Sequence, residues 1–146
     1  MSVSNLVIKI TDALKPVLVK IIPQEYLSRA KKAYMNRNTT KLKDAKIAPY
    51  KPGRYAEGIN LIGSIQAASG LGQSSRLVAA ELEASGMPYS IKEHHISEQL
   101  SMTEHEFDAK FSDELPYDIN LLHINAHEFT VSYMQLGKQV WDYRYN

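Results

Sequence analysis

Two glycines mark the stretch of this sequence whose residues could do chemistry. Gly70 and Gly72 follow an apolar run, Ile59 to Ile65, and precede a helical pattern of apolar residues. Glycine at such a junction permits positive φ and a close approach of the backbone to a ligand. The first N–H groups of the following helix would then face an anion or a sugar hydroxyl. The spacing matches neither a dinucleotide-binding glycine motif nor a Walker loop, and a plain tight turn is the alternative interpretation.

Histidines supply the second group of candidate residues. His123 falls at the end of a predicted strand and His127 at the start of the next helix, so both would lie near one edge of a sheet. Histidine there can donate to a sugar or phosphate or transfer a proton. For His123, a buried ring bonded to backbone is the alternative. The other histidines, His94, His95 and His105, lack the spacing of metal ligands, and we predict no metal site.

Composition excludes several classes of chemistry. The chain has 146 residues and no cysteine, so disulfides, thiolate zinc sites and cysteine nucleophiles are excluded. Neighbouring motifs form no Ser-His-Asp or paired-carboxylate arrangement, and no catalytic residue is assigned. With 44% hydrophobic and 23% charged residues, the chain is typical of a globular protein with a core.

Strand and helix patterns alternate from Tyr55 onward. The predicted elements are strands over 58–65, 88–93 and 117–124, helices over 73–85 and 128–140, and a short helix over 103–111 that starts at a capping box of Thr103 and Glu106. Gly86 is predicted to end the first helix. Such alternation is typical of an α/β fold with a parallel sheet. Ligands of these sheets bind beyond the carboxyl ends of the strands, where we expect the loop 66–72.

The first 54 residues form a basic arm. They carry 12 Lys and Arg residues against three acidic residues, whereas the rest of the chain carries five against 13. Apolar residues from Val7 to Ile21 recur at helical spacing, which predicts an amphipathic helix kinked at Pro16, and a second basic helix is predicted over 24–36. We predict that residues 1–46 contact an anionic membrane surface, and we predict no nucleic-acid binding. Packing of the apolar stripe on protein is the alternative.

The arm is too short and too charged for a membrane-spanning helix, and it lacks the features of a signal peptide. We therefore predict a cytoplasmic protein that is peripheral on the inner face of the cell membrane.

Three stretches carry a resemblance to a known family. They read "GINLIGSIQAASGLGQSSRLVAAELEASGMPYSI", "LPYDINLLHINAHEF" and "WDYRYN", and lie between Gly58 and Asn146. In this order they resemble the N-terminal part of bacterial glycosyltransferases of the GT-B architecture, of the retaining family 4 kind. In that family a first strand of G-x-N-x-x-G character leads to an S-G-L-G-E-A-x-R loop and helix, and a later strand reads N-L-I-H-x-N.

The resemblance implies an α/β fold that is a partial Rossmann-like parallel sheet over residues 55–146, preceded by the basic helical arm of residues 1–54. It implies transfer of a sugar from a nucleotide diphosphate sugar to a glycan or lipid-linked acceptor, in bacterial surface polysaccharide or glycan assembly, with no metal or other cofactor. Such enzymes have a second Rossmann-like domain across a cleft. We therefore expect an N-terminal fragment that is inactive alone, with a complementing C-terminal domain or self-association. The alternative is a non-catalytic remnant that binds a membrane or a protein.

The resemblance also implies substrate-binding residues: Gly70, Leu71 and Gly72 on the glycine loop, and His123 and Asn125 at the later strand end. Gln73, which follows the loop, and His127, which falls near the same edge, complete the predicted substrate-binding set. The glycine loop would lie against the phosphate and sugar of the donor. Gln73 stands where the family commonly has Glu, and Ala126-His127-Glu128 replaces the usual acidic and Gln pattern.

Overall fold

The computed structural model describes residues 46–96 and 100–146, together with residues 23, 25, 26, 28, 29, 32 and 33. The chain divides into two units, Met1–Lys46 and Ile47–Asn146. In the first unit, residues 25, 26, 28, 29, 32 and 33 are helical, while the helix predicted between Val7 and Ile21 lies outside the described residues. Among the described residues, no helix has the length and apolar character needed to cross a membrane.

Three parallel strands form the sheet of the second unit. They are β1 (Ala56–Gly63), β2 (Tyr89–Glu93) and β3 (Tyr117–His123). Their order is β2-β1-β3, so β1 lies in the centre. The predicted α/β class with a parallel sheet is confirmed, and this small sheet is consistent with a partial Rossmann-like fold.

Helices follow the first and the third strand. They are α1 (Gly70–Ser85), α2 (Phe129–Leu136) and α3 (Lys138–Trp141), with single turns of 3₁₀ helix at Asp108–Lys110 and Ala126–Glu128. α1 ends as predicted at Gly86, whose φ of 70° is left-handed and whose N–H donates to the Glu83 carbonyl oxygen. The helix predicted over 128–140 is interrupted at Gly137, whose φ of 79° and ψ of 159° leave the helical region.

The prediction of a short helix over 103–111 is wrong. Thr103 begins no helix, and the carboxylate of Glu106 lies 3.5 Å from Nε of Arg76 instead of reaching back to a helix start. Only the 3₁₀ turn at Asp108–Lys110 forms there. The sequence has the spacing of a capping box, but the carboxylate of Glu106 contacts Arg76 in α1 and does not cap a helix at Thr103.

A hydrophobic cluster lies on each face of the sheet. Leu61 and Ile62 are adjacent in β1 and fully buried, and their side chains point to opposite faces because strand side chains alternate. The cluster on the α1 side consists of Leu61, Ile65, Ala79, Tyr89 and Ile91. The cluster on the side of α2 and α3 consists of Ile62, Leu136, Val140 and Trp141.

A row of hydrogen-bonded polar side chains crosses the sheet on the Ile62 side. Asn60 in β1 lies opposite Ser90 in β2 and Asn120 in β3, and all three are buried. Its Nδ2 donates to Asn120 Oδ1 at 2.9 Å, while its Oδ1 accepts from Ser90 Oγ at 3.2 Å and from the N–H of Tyr117 at 3.1 Å. Because buried polar groups are costly when unpaired, these bonds favour one strand register.

The last residues of the chain extend the sheet beyond β3. Tyr145 pairs in parallel with Ile119, which lies in β3. Residues 47–54, assigned to the arm from the sequence, belong to this second unit. Its start is bonded to the chain end, since the N–H of Tyr143 donates to the Ala48 carbonyl oxygen at 3.1 Å.

Replacement of the central side chain of the polar row tests its role. We expect Asn60→Ala to lower the free energy of unfolding by about 2 kcal/mol or more, because Asn120 and the N–H of Tyr117 stay buried without their partner. Chemical denaturation measures this change. The exposed Asn125→Ala variant serves as the control, with an expected change within about 0.5 kcal/mol. Equal losses in the two variants would contradict the role of the row.

Candidate functional site

The carboxyl edge of the sheet holds the candidate site. Gly63 at the end of β1 lies opposite Glu93 in β2 and His123 in β3, so the three strands end at one level. The chain passes from β1 to β2 on one side and afterwards to β3 on the other. Ligands of open parallel sheets bind at such a reversal, here between the loops that follow β1 and β3.

The first turn of α1 lies at this edge. α1 begins at Gly70, earlier than predicted, so the glycines belong to the helix rather than to a loop before it. Ser69 is the N-cap: its Oγ accepts the N–H of Gly72 at 3.1 Å and its carbonyl oxygen accepts that of Gln73 at 2.8 Å. In the part of the chain that the structure describes, the N–H groups of Gly70 and Leu71 have no acceptor. These two groups are the donors that a ligand could use.

The two glycines have different physical roles. Neither adopts a positive φ, which corrects the expectation from the sequence. Gly72 is buried, and a Cβ there would overlap the carbonyl oxygen of Ala67 and lie 2.9 Å from that of Ser64. Gly72 is therefore needed where α1 packs on the loop before it. Gly70 is exposed, and a Cβ there would meet nothing within 4 Å.

Two charged side chains fix the loop between β1 and α1. Glu93 Oε2 accepts the N–H groups of Ile65 at 2.9 Å and Gln66 at 3.1 Å. Arg76 Nη1 donates to the carbonyl oxygens of Ile65 at 2.7 Å and Ala67 at 3.0 Å. Burial raises the pKa of the Glu93 carboxyl above its ordinary value, although the two backbone hydrogen bonds act in the opposite direction.

Residues 101–108 hold the same loop from its other side. The N–H of Thr103 donates to the Gln66 carbonyl oxygen at 3.0 Å, and the Gln66 side chain donates to Asp108 Oδ1 at 2.9 Å. Bonds on both sides restrict the loop, so the first turn of α1 has a fixed position at the edge of the sheet.

The end of β3 contributes the histidine of the predicted site. His123 is half-buried, and its Nε2 lies 3.0 Å from Oγ of Ser74 in α1, so this residue joins the end of β3 to α1. Asn125 is exposed and donates to Glu128 Oε2 at 3.2 Å. His127 is exposed, and its Nε2 lies 4.0 Å from Glu128 Oε1. Thus His123 contacts α1, whereas Asn125 and His127 pair with Glu128 in the segment that follows β3.

Sequence reasoning missed three residues that build this edge. Ser69 had a local signal, because serine before an apolar helical pattern is a typical N-cap. Ser74 and Glu93 had none, because their partners, His123 and the loop after β1, are distant in the sequence. Local spacing cannot predict such pairs.

The fold and this edge define an α/β protein with a parallel sheet and two N–H donors at its carboxyl edge. Such donors can bind an anion or a hydroxyl oxygen. Within the described ranges, no group of three or more histidine and carboxylate side chains could hold a metal ion. No protein-family model matches the chain, and the comparisons with curated proteins and with solved structures find no match.

Alanine substitutions separate the roles of the two glycines. We expect Gly72→Ala to lower the free energy of unfolding by about 1–3 kcal/mol, because its methyl group must displace the Ala67 carbonyl. The matched variant Gly70→Ala has room for its methyl group, and we expect it to be neutral or stabilising by up to about 1 kcal/mol. Thermal or chemical unfolding of both variants measures the difference. A loss as large in Gly70→Ala would contradict this assignment.

Proposed function

We propose that this chain is the N-terminal part of a glycosyltransferase of the GT-B architecture. It would act in transfer of a sugar from a nucleotide diphosphate sugar to a glycan or lipid-linked acceptor. Two independent features support this proposal: the order of the three stretches that resemble the family, and the position of the first turn of α1 at the carboxyl edge of a parallel sheet. The second feature is the physical basis of the proposal, because N–H groups at a helix N-terminus can bind an anion such as a diphosphate.

The diphosphate of the donor would bind the N–H groups of Gly70 and Leu71. Backbone N–H groups at a helix N-terminus, together with the helix dipole, favour negative charge there. Such donors stabilise most strongly a charge that develops during reaction, here on the departing diphosphate. The N–H groups of Gly72 and Gln73 are bonded to Ser69, so the donors precede Gly72 rather than follow it.

The loop after β3 would contact the sugar. Asn125 and His127 are exposed beside Glu128, and all three have polar atoms that can bond to hydroxyl groups. His123 would act as a positioning residue, because its contact with Ser74 joins the two loops. In enzymes of this kind a second domain supplies most donor contacts. We therefore expect this chain alone to bind a donor weakly and to transfer no sugar.

A charge at Gly70 tests the role of the helix N-terminus. We expect Gly70→Asp to prevent binding of uridine diphosphate and other nucleoside diphosphates. Its carboxylate would compete for the same N–H groups and would repel the negatively charged diphosphate. The fold should persist or become more stable by about 0.3–1 kcal/mol, since an acidic residue is favourable in the first turn of a helix. The measurement is the shift of the Gly70–Leu71 amide signals of this chain on titration, by NMR.

Gly70→Asn is the matched control for shape without charge. We expect its binding to stay within about threefold of the unmodified chain, which corresponds to less than 1 kcal/mol. Equal binding by the Asp variant, or no shift of these amides in the unmodified chain, would reject the proposal.

The basic arm would place the enzyme on an anionic membrane surface at the inner face of the cell membrane. The described part of the arm supports this only through its exposed helical cations, Arg29 and Lys32. The rest of the support is the charge and the apolar spacing of the sequence. A lipid-linked acceptor would then lie close to the transferase.

Vesicle flotation tests the arm. We expect the chain to float with vesicles that contain phosphatidylglycerol, to stay unbound with phosphatidylcholine alone, and to lose binding when the salt concentration is raised. Deletion of residues 1–22 should abolish flotation, because it removes the predicted apolar stripe. Equal flotation of the full and shortened chains would exclude this role for the first helix.

A further inference from the structure

A cavity of about 540 Å³ lies apart from the glycines, on the face of the sheet covered by α2 and α3. Its lining combines charged, amide, aromatic and apolar side chains, among them Tyr55, Lys92, His94, Asp113, Gln135 and Arg144. A cavity of this size can hold a small molecule.

The side chains of β2 explain why the cavity is polar. Tyr89 and Ile91 point into the cluster under α1, whereas Ser90 and Lys92 alternate onto the opposite face. Strands of a parallel sheet that helices cover on both faces are apolar on both. On this side β2 instead presents Lys92, and then His94, to the cavity.

Arg144 gives the cavity a buried positive charge. The residue is 7% exposed, and its side chain donates to four carbonyl oxygens, those of Leu115, Tyr117, Gln139 and Val140. Its guanidinium also lies 3.7 Å from the ring centroid of Tyr55. Among the described residues no carboxylate forms an ion pair with it. Carbonyl oxygens satisfy its hydrogen bonds but leave its net charge uncompensated, and a buried charge is normally paired.

Lys92 adds a second cation, which already holds a carboxylate. Its Nζ lies 2.9 Å from Oδ1 of Asp113, and the Asp113 side chain is fully exposed while that of Lys92 is mostly buried. An ion pair with so exposed a partner contributes little to stability. Asp113 therefore marks a position for an oxyanion at the mouth of the cavity, and another anion can displace it at small cost.

His94 is a nearly buried member of the cavity lining. It is 9% exposed, and its Nε2 is buried with no partner in the part of the chain that the structure describes. Burial lowers the pKa of His94 below its ordinary value, and the neighbouring His95 and Lys92 lower it further. The negative charge of Glu128 acts in the opposite direction and raises this pKa. A neutral imidazole adds no charge to the lining, so Lys92 and Arg144 supply its positive charge.

We infer that this cavity binds a small molecule through a carboxylate or phosphate group. The oxyanion bonds to Lys92 Nζ in place of Asp113 and lies beside His94 in the field of Arg144. A neutral sugar fits the lining less well, because it would leave the charge of Arg144 uncompensated. This inference is independent of the proposed sugar transfer, since the glycine helix is not part of the cavity.

Titration of the whole chain with sodium phosphate and with sodium succinate tests the inference. We expect saturable NMR shifts of the backbone amides of residues 92–94 and of the Arg144 Nε–H with one or both anions. Phosphate alone would identify a phosphate group and succinate alone a carboxylate. Sodium chloride at matched ionic strength should give no saturable shift, which separates binding in the cavity from binding of anions by the basic arm.

Three variants separate specific binding from general effects of charge. Lys92→Met should weaken binding at least about tenfold, because a charge-assisted hydrogen bond is lost. Asp113→Asn should strengthen binding, because the competing carboxylate is removed from an exposed position. Lys110→Met is the matched control: Lys110 pairs with Glu83 outside the cavity lining, and its loss should leave binding unchanged.

Several results would overturn the inference. They are shifts that chloride reproduces, no saturable shift with either phosphate or succinate, and equal affinity in Lys92→Met and Lys110→Met. Weaker binding in Asp113→Asn would also overturn it, because it would place Asp113 among the ligand contacts rather than in competition with them.

Discussion

The buried hydrogen bonds that Asn60 makes to both neighbouring strands are the constraint on which the rest of the structure depends. A sheet of apolar strands could pair in several registers, but only one lets this side chain satisfy its partners away from water. In that register Gly63, Glu93 and His123 stand side by side at the strand ends. The carboxyl edge is level for this reason, and the loops that follow β1 and β3 face each other across it.

The start of α1 depends on that edge in turn. Glu93 reaches from the end of β2 to the backbone after β1, and Arg76 holds the same loop from the helix. Gly72 then lets the helix approach the loop more closely than any other residue would. The N–H groups of Gly70 and Leu71, which have no acceptor among the described residues, thus have fixed positions, as binding by preorganised donors requires. The proposed role of Gly70 in binding a diphosphate follows from this rigidity and from its exposure.

The two faces of β2 divide the molecule into two different environments. Ile91 belongs to a hydrophobic cluster under α1, while Lys92 and His94 line a polar cavity under α2 and α3. Near the chain end, Arg144 lines that cavity and bonds to carbonyl oxygens from several segments, so its charge lies in the interior. The hydrogen bonds that hold Arg144 therefore also fix a positive charge in the cavity lining. The inferred oxyanion site depends on this charge.

Local preferences along the sequence determined the alternation of strands and helices, the end of α1 at Gly86 and hence the α/β class, because apolar periodicity and glycine conformation act over a few residues. The sequence also supplied the family resemblance, which remains a proposal. Tertiary structure alone decided where α1 begins, that Gly72 serves packing, that His123 meets Ser74, and that Lys92 and Arg144 share a cavity. These facts rest on contacts between residues far apart in the chain, and spacing within one segment carries no information about them.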